Sequence, residues 1–89
     1  MKILIAEDDL VSRKLLDTTL KKWGYEVHAF PDGTSTWERV QEGDFPQLMI
    51  LDWMMPGLDG VELCRKIRNL ELTEYPYIIL LTARVQKED

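Results

Sequence analysis

The sequence predicts an α/β domain, a parallel sheet with helices on both faces, and three observations carry that expectation. Short, continuous apolar runs stand at residues 3–6, 48–51 and 77–82, as strands buried on both faces should read. Between them lie stretches whose apolar residues recur at helical spacing. Two of the runs end in acids: Glu7, Asp8 and Asp9 follow the first and Asp52 follows the second.

Taken in order, β1 is expected over residues 3–6. A helix, α1, follows over 11–23, with Val11, Leu15, Leu16, Leu20 and Trp23 as its apolar face and Gly24 as its stop. Residues 26–30 read as β2, and Pro31-Asp32-Gly33 as a turn. Ser35 with Glu38 three residues later predicts a capping box for α2, which buries Trp37 and Val40. Glu42-Gly43-Asp44-Phe45-Pro46 breaks that helix before β3 at 48–51. Asp59 is the expected cap of α3, with Glu62 as box partner, Val61, Cys64 and Ile67 on its inner face and an end near Leu70. The run at 77–82 is β4.

The 89 residues allow one small domain with a modest core, and 45% hydrophobic with 30% charged residues is a globular composition. Sixteen acids against eleven bases give a net charge of −5, which opposes direct binding to nucleic acid or to an anionic membrane. The lone cysteine, Cys64, can form no internal disulfide. The apolar stretch at the start is too short for a signal peptide or membrane span, so a cytoplasmic location is expected.

In open parallel sheets the functional crevice lies beyond the carboxyl ends of the strands. Here those ends carry Glu7, Asp8, Asp9, Asp52 and Thr82. Carboxylates that converge repel one another, and a hard cation such as Mg²⁺ relieves that cost, taking oxygen ligands and usually a phosphate as well. An Asp beside such a cation can attack a phosphoryl donor, which makes Asp52 the candidate nucleophile and the Thr82 hydroxyl a candidate donor to a phosphoryl oxygen. The competing account is that these acids merely solvate loops or cap α1.

The strings Ile5-Ala6-Glu7-Asp8-Asp9, Asp32-Gly33, Leu51-Asp52-Trp53-Met54-Met55-Pro56-Gly57-Leu58-Asp59-Gly60 and Leu80-Leu81-Thr82-Ala83 resemble the receiver domain of two-component response regulators, the CheY-like family. The thirty-residue step from Asp52 to Thr82 matches that family too. The resemblance implies a flavodoxin-like, doubly wound sheet of 2-1-3-4-5 type. It makes Asp52 the phosphoacceptor for a histidine kinase or phosphotransfer protein, Asp8 a direct Mg²⁺ ligand, Glu7 a ligand through water, and the Met54 main-chain carbonyl a further ligand. Thr82 becomes the switch hydroxyl, Trp53 a residue bordering the phosphorylation site, and the basic face of α1 part of a kinase-docking surface. An output domain or downstream protein would read the state, so the chain is expected to be a switch and not an enzyme beyond its own phosphotransfer.

By the same resemblance, residues 1–89 are expected to be a partial receiver, β1-α1-β2-α2-β3-α3-β4, without α4, β5 and α5. The lysine and aromatic residue expected on β5 would go with them. β4 would then be an apolar edge open to self-association or a domain swap. Two other readings stand beside the switch: an interaction module that is not phosphorylated, and a Mg²⁺-dependent phosphohydrolase. Haloacid-dehalogenase-type enzymes want a second Asp two residues after the nucleophile, where this chain has Met54. His28 is expected at a surface or edge, and Trp23 and Trp37 in the core.

Overall fold

The computed structural model describes residues 1–81. Strands and helices alternate as β1 Lys2–Ala6, α1 Leu10–Lys22, β2 Glu26–Phe30, α2 Gly33–Gln41, β3 Leu48–Asp52, α3 Gly60–Arg68 and β4 Tyr77–Leu81. All strand pairs are parallel and the sheet order is β2-β1-β3-β4. The chain moves outward from β1 to β2, then crosses back to β3 and moves outward to β4. The reversal lies between β1 and β3, where a flavodoxin-like fold places its crevice.

Alternation along the strands sends side chains to two layers. Leu4, Ala6, Met49 and Leu51 meet Val40 of α2 and Leu63 and Ile67 of α3 on one face. Ile3 and Ile5 meet Leu20 and Leu16 of α1 on the other. Residues 3–6 are all buried, which is why β1 reads as an unbroken apolar run.

Several expectations about the helices change. On α1, Leu20 is buried and Leu16 partly so, while Val11, Leu15 and Trp23 are 74%, 67% and 69% exposed. The helix packs chiefly on β1 and β2, so its contact stripe is narrow. Trp23 is the C-cap residue, Gly24 turns the chain with φ +95°, and Tyr25 rather than Trp23 packs on the α1 layer. Trp37 is half-buried against the α2/α3 layer, with the Lys66 ammonium 5.3 Å from its ring centre.

The second helix begins two residues before Ser35, capped by Asp32, whose carboxylate accepts from the Ser35 N–H at 2.7 Å and from its hydroxyl at 2.7 Å. Those bonds, the N–H first, hold the Asp32 carboxyl below its usual range. Ser35 therefore sits inside the first turn and donates back to the cap. The third helix is capped by Asp59, which accepts from the Glu62 N–H at 2.8 Å, but the Glu62 carboxylate pairs with Arg65 at 2.7 Å. Besides Gly60 its buried residues are Leu63 and Ile67, one turn apart, with Val61 and Cys64 half-buried beside them, and it ends at Arg68.

Among the described residues β4 is a sheet edge. Ile78 and Leu80 pack toward α2 and α3, while Tyr77 and Ile79 remain 79% and 49% exposed on the face that α1 shares. These placements predict unequal costs for similar changes. Leu63→Ala should destabilise by about 2–5 kcal/mol, because it opens a cavity in a closed layer. Leu15→Ala should cost under about 0.5 kcal/mol, as expected of an exposed site. Urea unfolding of the two variants checks the pair, and equal losses would contradict the assigned face of α1.

Candidate functional site

The pairing of β1 with β3 builds the site. Ala6 stands opposite Leu51, so the next residue of each strand, Glu7 and Asp52, emerge side by side at the carboxyl end of the sheet. Asp8 joins them, and one carboxylate oxygen from each of Glu7, Asp8 and Asp52 lies within 4.8 Å of the others. Glu7 is 5% exposed and Asp52 3%, whereas Asp8 is half-buried and forms the open side of the cluster.

Main-chain and cationic groups hold this arrangement. The Glu7 carboxylate accepts from the Asp9 N–H at 2.9 Å, and the Glu7 carbonyl accepts from the Arg13 guanidinium at 2.9 Å. Asp9 turns its own carboxylate to the Ser12 N–H at 2.8 Å and caps α1, so for this acid the capping account holds. Burial pushes the Glu7 carboxyl up to about 7 from 4.5, and the Asp52 charge with hydrogen bonds to Asp52 and Asp8 push the same way. The Asp9 N–H opposes them. A cluster that retains a proton near neutrality suits a group that replaces the proton with a larger charge. Three carboxylates, two of them buried, are a hard oxygen donor set of the kind Mg²⁺ takes.

The loop after Asp52 is tied down tightly. Gly60 donates its N–H to the Trp53 carbonyl at 2.9 Å, and a Cβ at Gly60 would overlap the Asp52 carbonyl oxygen and lie 3.1 Å from the Trp53 Cα. Only glycine permits α3 to begin this close to the strand end. Met55 is buried in the α2/α3 layer, while Trp53 and Met54 are 41% and 53% exposed at the mouth of the site.

Of the residues singled out from sequence, Glu7, Asp8 and Asp52 come together, and Met54 lies two residues beyond Asp52 in the adjoining loop. Thr82 lies outside the described residues. His28 is remote from the cluster, on the edge strand β2, 3.0 Å from the Glu26 carboxylate. Arg13 and Gly60 escaped the sequence reading as parts of the site. Arg13 is one turn past the Asp9 cap, a position that a cap at Asp9 would have indicated; Gly60 carries no chemistry of its own.

A family model described as the response regulator receiver domain matches residues 3–89. The chain belongs to that family. It is a receiver domain of two-component signalling. It is 42% identical over 88 residues to the phosphate regulon transcriptional regulatory protein PhoB of Rhizobium meliloti, an alignment that covers 99% of this chain and 38% of PhoB. It is 43% identical over 70 residues to the receiver protein CpdR of Brucella abortus, covering 79% of this chain and 58% of CpdR. The receiver chain thus spans less than two thirds of the length of these relatives.

Among solved structures, the N-terminal domain of a response regulator/sensory box/GGDEF protein from Carboxydothermus hydrogenoformans superposes with a TM-score of 0.84 at 33% identity, covering 98% of this chain and 68% of that one. The receiver domain of a sensor histidine kinase from Pseudomonas aeruginosa, with a magnesium ion coordinated in its active site cleft, gives 0.85 at 29% identity over 97% of this chain and 70% of that one.

The raised Glu7 carboxyl sets a pH dependence. Stability from the neutral form is fully present below about pH 4.5 and is lost as the pH rises through about 7. In EDTA, Glu7→Gln should therefore gain on the native receiver as the pH is raised from 5 to 8, by about 2 kcal/mol. Thermal unfolding across that range measures the gain, and a constant difference would contradict the assignment.

Proposed function

We propose that this receiver is a phosphoacceptor switch in which Asp52 takes a phosphoryl group from the phosphohistidine of a histidine kinase or phosphotransfer protein. The nitrogen–phosphorus bond of the donor breaks, a carboxylate oxygen of Asp52 forms the new bond to phosphorus, and the donor imidazole leaves. The single observation that carries the reading is the Asp52 carboxylate, 3% exposed, at the switch point of the sheet beside two further carboxylates.

Asp8, Asp52 and the Met54 main-chain carbonyl are the proposed direct Mg²⁺ ligands, with Glu7 acting through a bound water. Bound there, Mg²⁺ would offset the charge of the incoming phosphoryl oxygens. The magnesium ion in the cleft of the related Pseudomonas aeruginosa receiver supports this choice of metal. The Glu7 carboxylate accepts from the Asp9 N–H, a bond that orients it within the acidic cluster. Asp52 is the attacking group and its strand fixes the line of approach. Thr82 is the proposed switch hydroxyl, drawn to the phosphoryl group. The resulting acyl phosphate biases a two-state equilibrium read by an output domain or downstream protein on the cytoplasmic side of the cell.

Treating the receiver with Mg²⁺ and acetyl phosphate should give a labile mass gain of about 80 Da that disappears in Asp52→Asn. Intact-mass spectrometry reads the adduct. No adduct on the native chain would instead favour an interaction module that is not phosphorylated, and sustained turnover of a phosphate ester would favour a phosphohydrolase. The second outcome is disfavoured by Met54, which stands where such an enzyme wants an acid.

The 89-residue chain is also proposed to pair with a second copy through β4. Tyr77 donates its N–H to Gln47 and Leu81 accepts from Trp53, so the odd-numbered residues of the strand bond to β3. The main-chain groups of Ile78 and Leu80 then lie on the side that, among the described residues, is open. An antiparallel pair centred on Ile79 would exchange bonds between Ile78 and the partner's Leu80, and the run Tyr77-Ile78-Ile79-Leu80-Leu81 has no charge to oppose it. Sedimentation velocity should show a concentration-dependent dimer that Ile79→Lys abolishes. A native chain that stays monomeric at high concentration would refute the pairing.

A further inference from the structure

We propose that Gly33, at the start of α2 and outside the acidic cluster, is a positioning residue that sets the place of the Met54 carbonyl and so tunes the preference of the site for Mg²⁺. The proposal rests on the reading of that carbonyl as a metal ligand.

Gly33 is buried, and its φ lies outside the left-handed region, so its backbone would accept alanine. Its surroundings would not. A Cβ there would overlap the Leu58 carbonyl oxygen and lie 2.9 Å from the Leu58 carbonyl carbon and 3.1 Å from its Cβ. The obstacle is backbone, so no flexible side chain can swing aside.

Nor can α2 retreat easily. Its Val40 is buried in the α2/α3 layer and Thr36 has no exposure, while the bonds from Ser35 and from the Thr36 hydroxyl to Asp32 keep its first turn rigid. A group added at Gly33 must therefore move Leu58. The loop that carries Leu58 is closed at its far end by the bond from Gly60 to Trp53 and by the close approach of Gly60 to the Asp52 carbonyl. With both ends fixed, displacement at Leu58 is taken up by residues 54–57, and Met54 is among them. Gly57, at φ +77°, and the Thr34 hydroxyl beside it bring the start of α2 against the same stretch. An element with no residue in the cluster thereby determines where one of its proposed oxygen ligands stands.

Mg²⁺ demands near-octahedral geometry at short distances, whereas Ca²⁺ accepts irregular coordination. Moving one carbonyl should thus penalise Mg²⁺ more than Ca²⁺, while a general loosening of the fold would not discriminate between them. Isothermal titration of the native receiver, Gly33→Ala and Leu58→Ala with each ion, alongside circular dichroism, tests the idea. Gly33→Ala is expected to bind Mg²⁺ about 10–100-fold more weakly, the usual effect of disturbing a group that supports a metal ligand, with a smaller loss for Ca²⁺. If Gly33→Ala does not fold, Leu58→Ala carries the test, since it releases the same loop from the core without touching α2, and the same fall in Mg²⁺ preference is expected. A native receiver that binds Mg²⁺ together with folded variants that keep the native Mg²⁺ to Ca²⁺ ratio would overturn the inference and leave the proposed function standing. A native receiver that binds no Mg²⁺ would remove both.

Discussion

The parallel pairing of β1 with β3 is the constraint on which the rest of the structure depends. Both strands are covered on two faces, so each must be apolar for most of its length, and both can become polar only where they leave the sheet. Their register brings those two exits level, Glu7 beside Asp52. Had β1 paired only with its sequence neighbour β2, the acids at the two strand ends would be held apart. The crossover from β2 back to β3, which reverses the direction in which strands are added to the sheet, is therefore what turns two unremarkable strand ends into one cluster.

Such a cluster works against folding, and the surrounding chain limits that cost. Glu7 keeps a proton to higher pH than an ordinary glutamate and receives the Asp9 N–H, while Arg13 bonds to the carbonyl of the same residue. The remaining acids near the strand exits are given other work. Asp9, Asp32 and Asp59 each cap a helix that begins at the carboxyl end of the sheet, satisfying N–H groups that would otherwise lack partners. The net charge of −5 is thus divided between side chains that stabilise helix starts and side chains that destabilise their own neighbourhood, and the second kind is gathered at one point.

This division explains what could be read from sequence. β1 and β3 were legible because burial on both faces leaves a run with no polar interruption, and the acids that end those two runs marked the crevice; β4 read the same way although Tyr77 and Ile79 are exposed. Helix faces were less legible. In α1, Val11, Leu15, Leu16 and Leu20 are equally apolar on paper, and only the narrow footprint of the helix on β1 and β2 selects Leu16 and Leu20. In α3 the marked face missed Leu63, one turn before Ile67, because Val61 and Cys64 offered an equally regular stripe. Ser35 imitated a cap because serine favours that position, whereas Asp32, three places earlier, bonds both its N–H and its hydroxyl. The glycines at 33 and 60 were visible only as parts of a motif. Their function is to be small against another segment's backbone, and no local pattern encodes which segment that is.

The same close contacts decide where a switch of this build has room to move. A two-state response requires an element with two arrangements available to it. The β3–α3 loop is a poor choice, since backbone lies against backbone at Gly33 and at Gly60 and neither partner can shift without displacing a helix start. The side that carries the acidic cluster is better understood as a fixed cradle, which suits a site whose chemistry would depend on placing charges rather than on moving them. Freedom lies on the opposite flank. Among the described residues β4 is bonded on one side only, and its Tyr77 and Ile79 side chains leave the α1-side face without burial. Its carboxyl end runs beside that of β3, where Leu81 stands opposite Asp52. A charge added to Asp52 would therefore be felt directly by a strand that, among the described residues, is bonded on one side only.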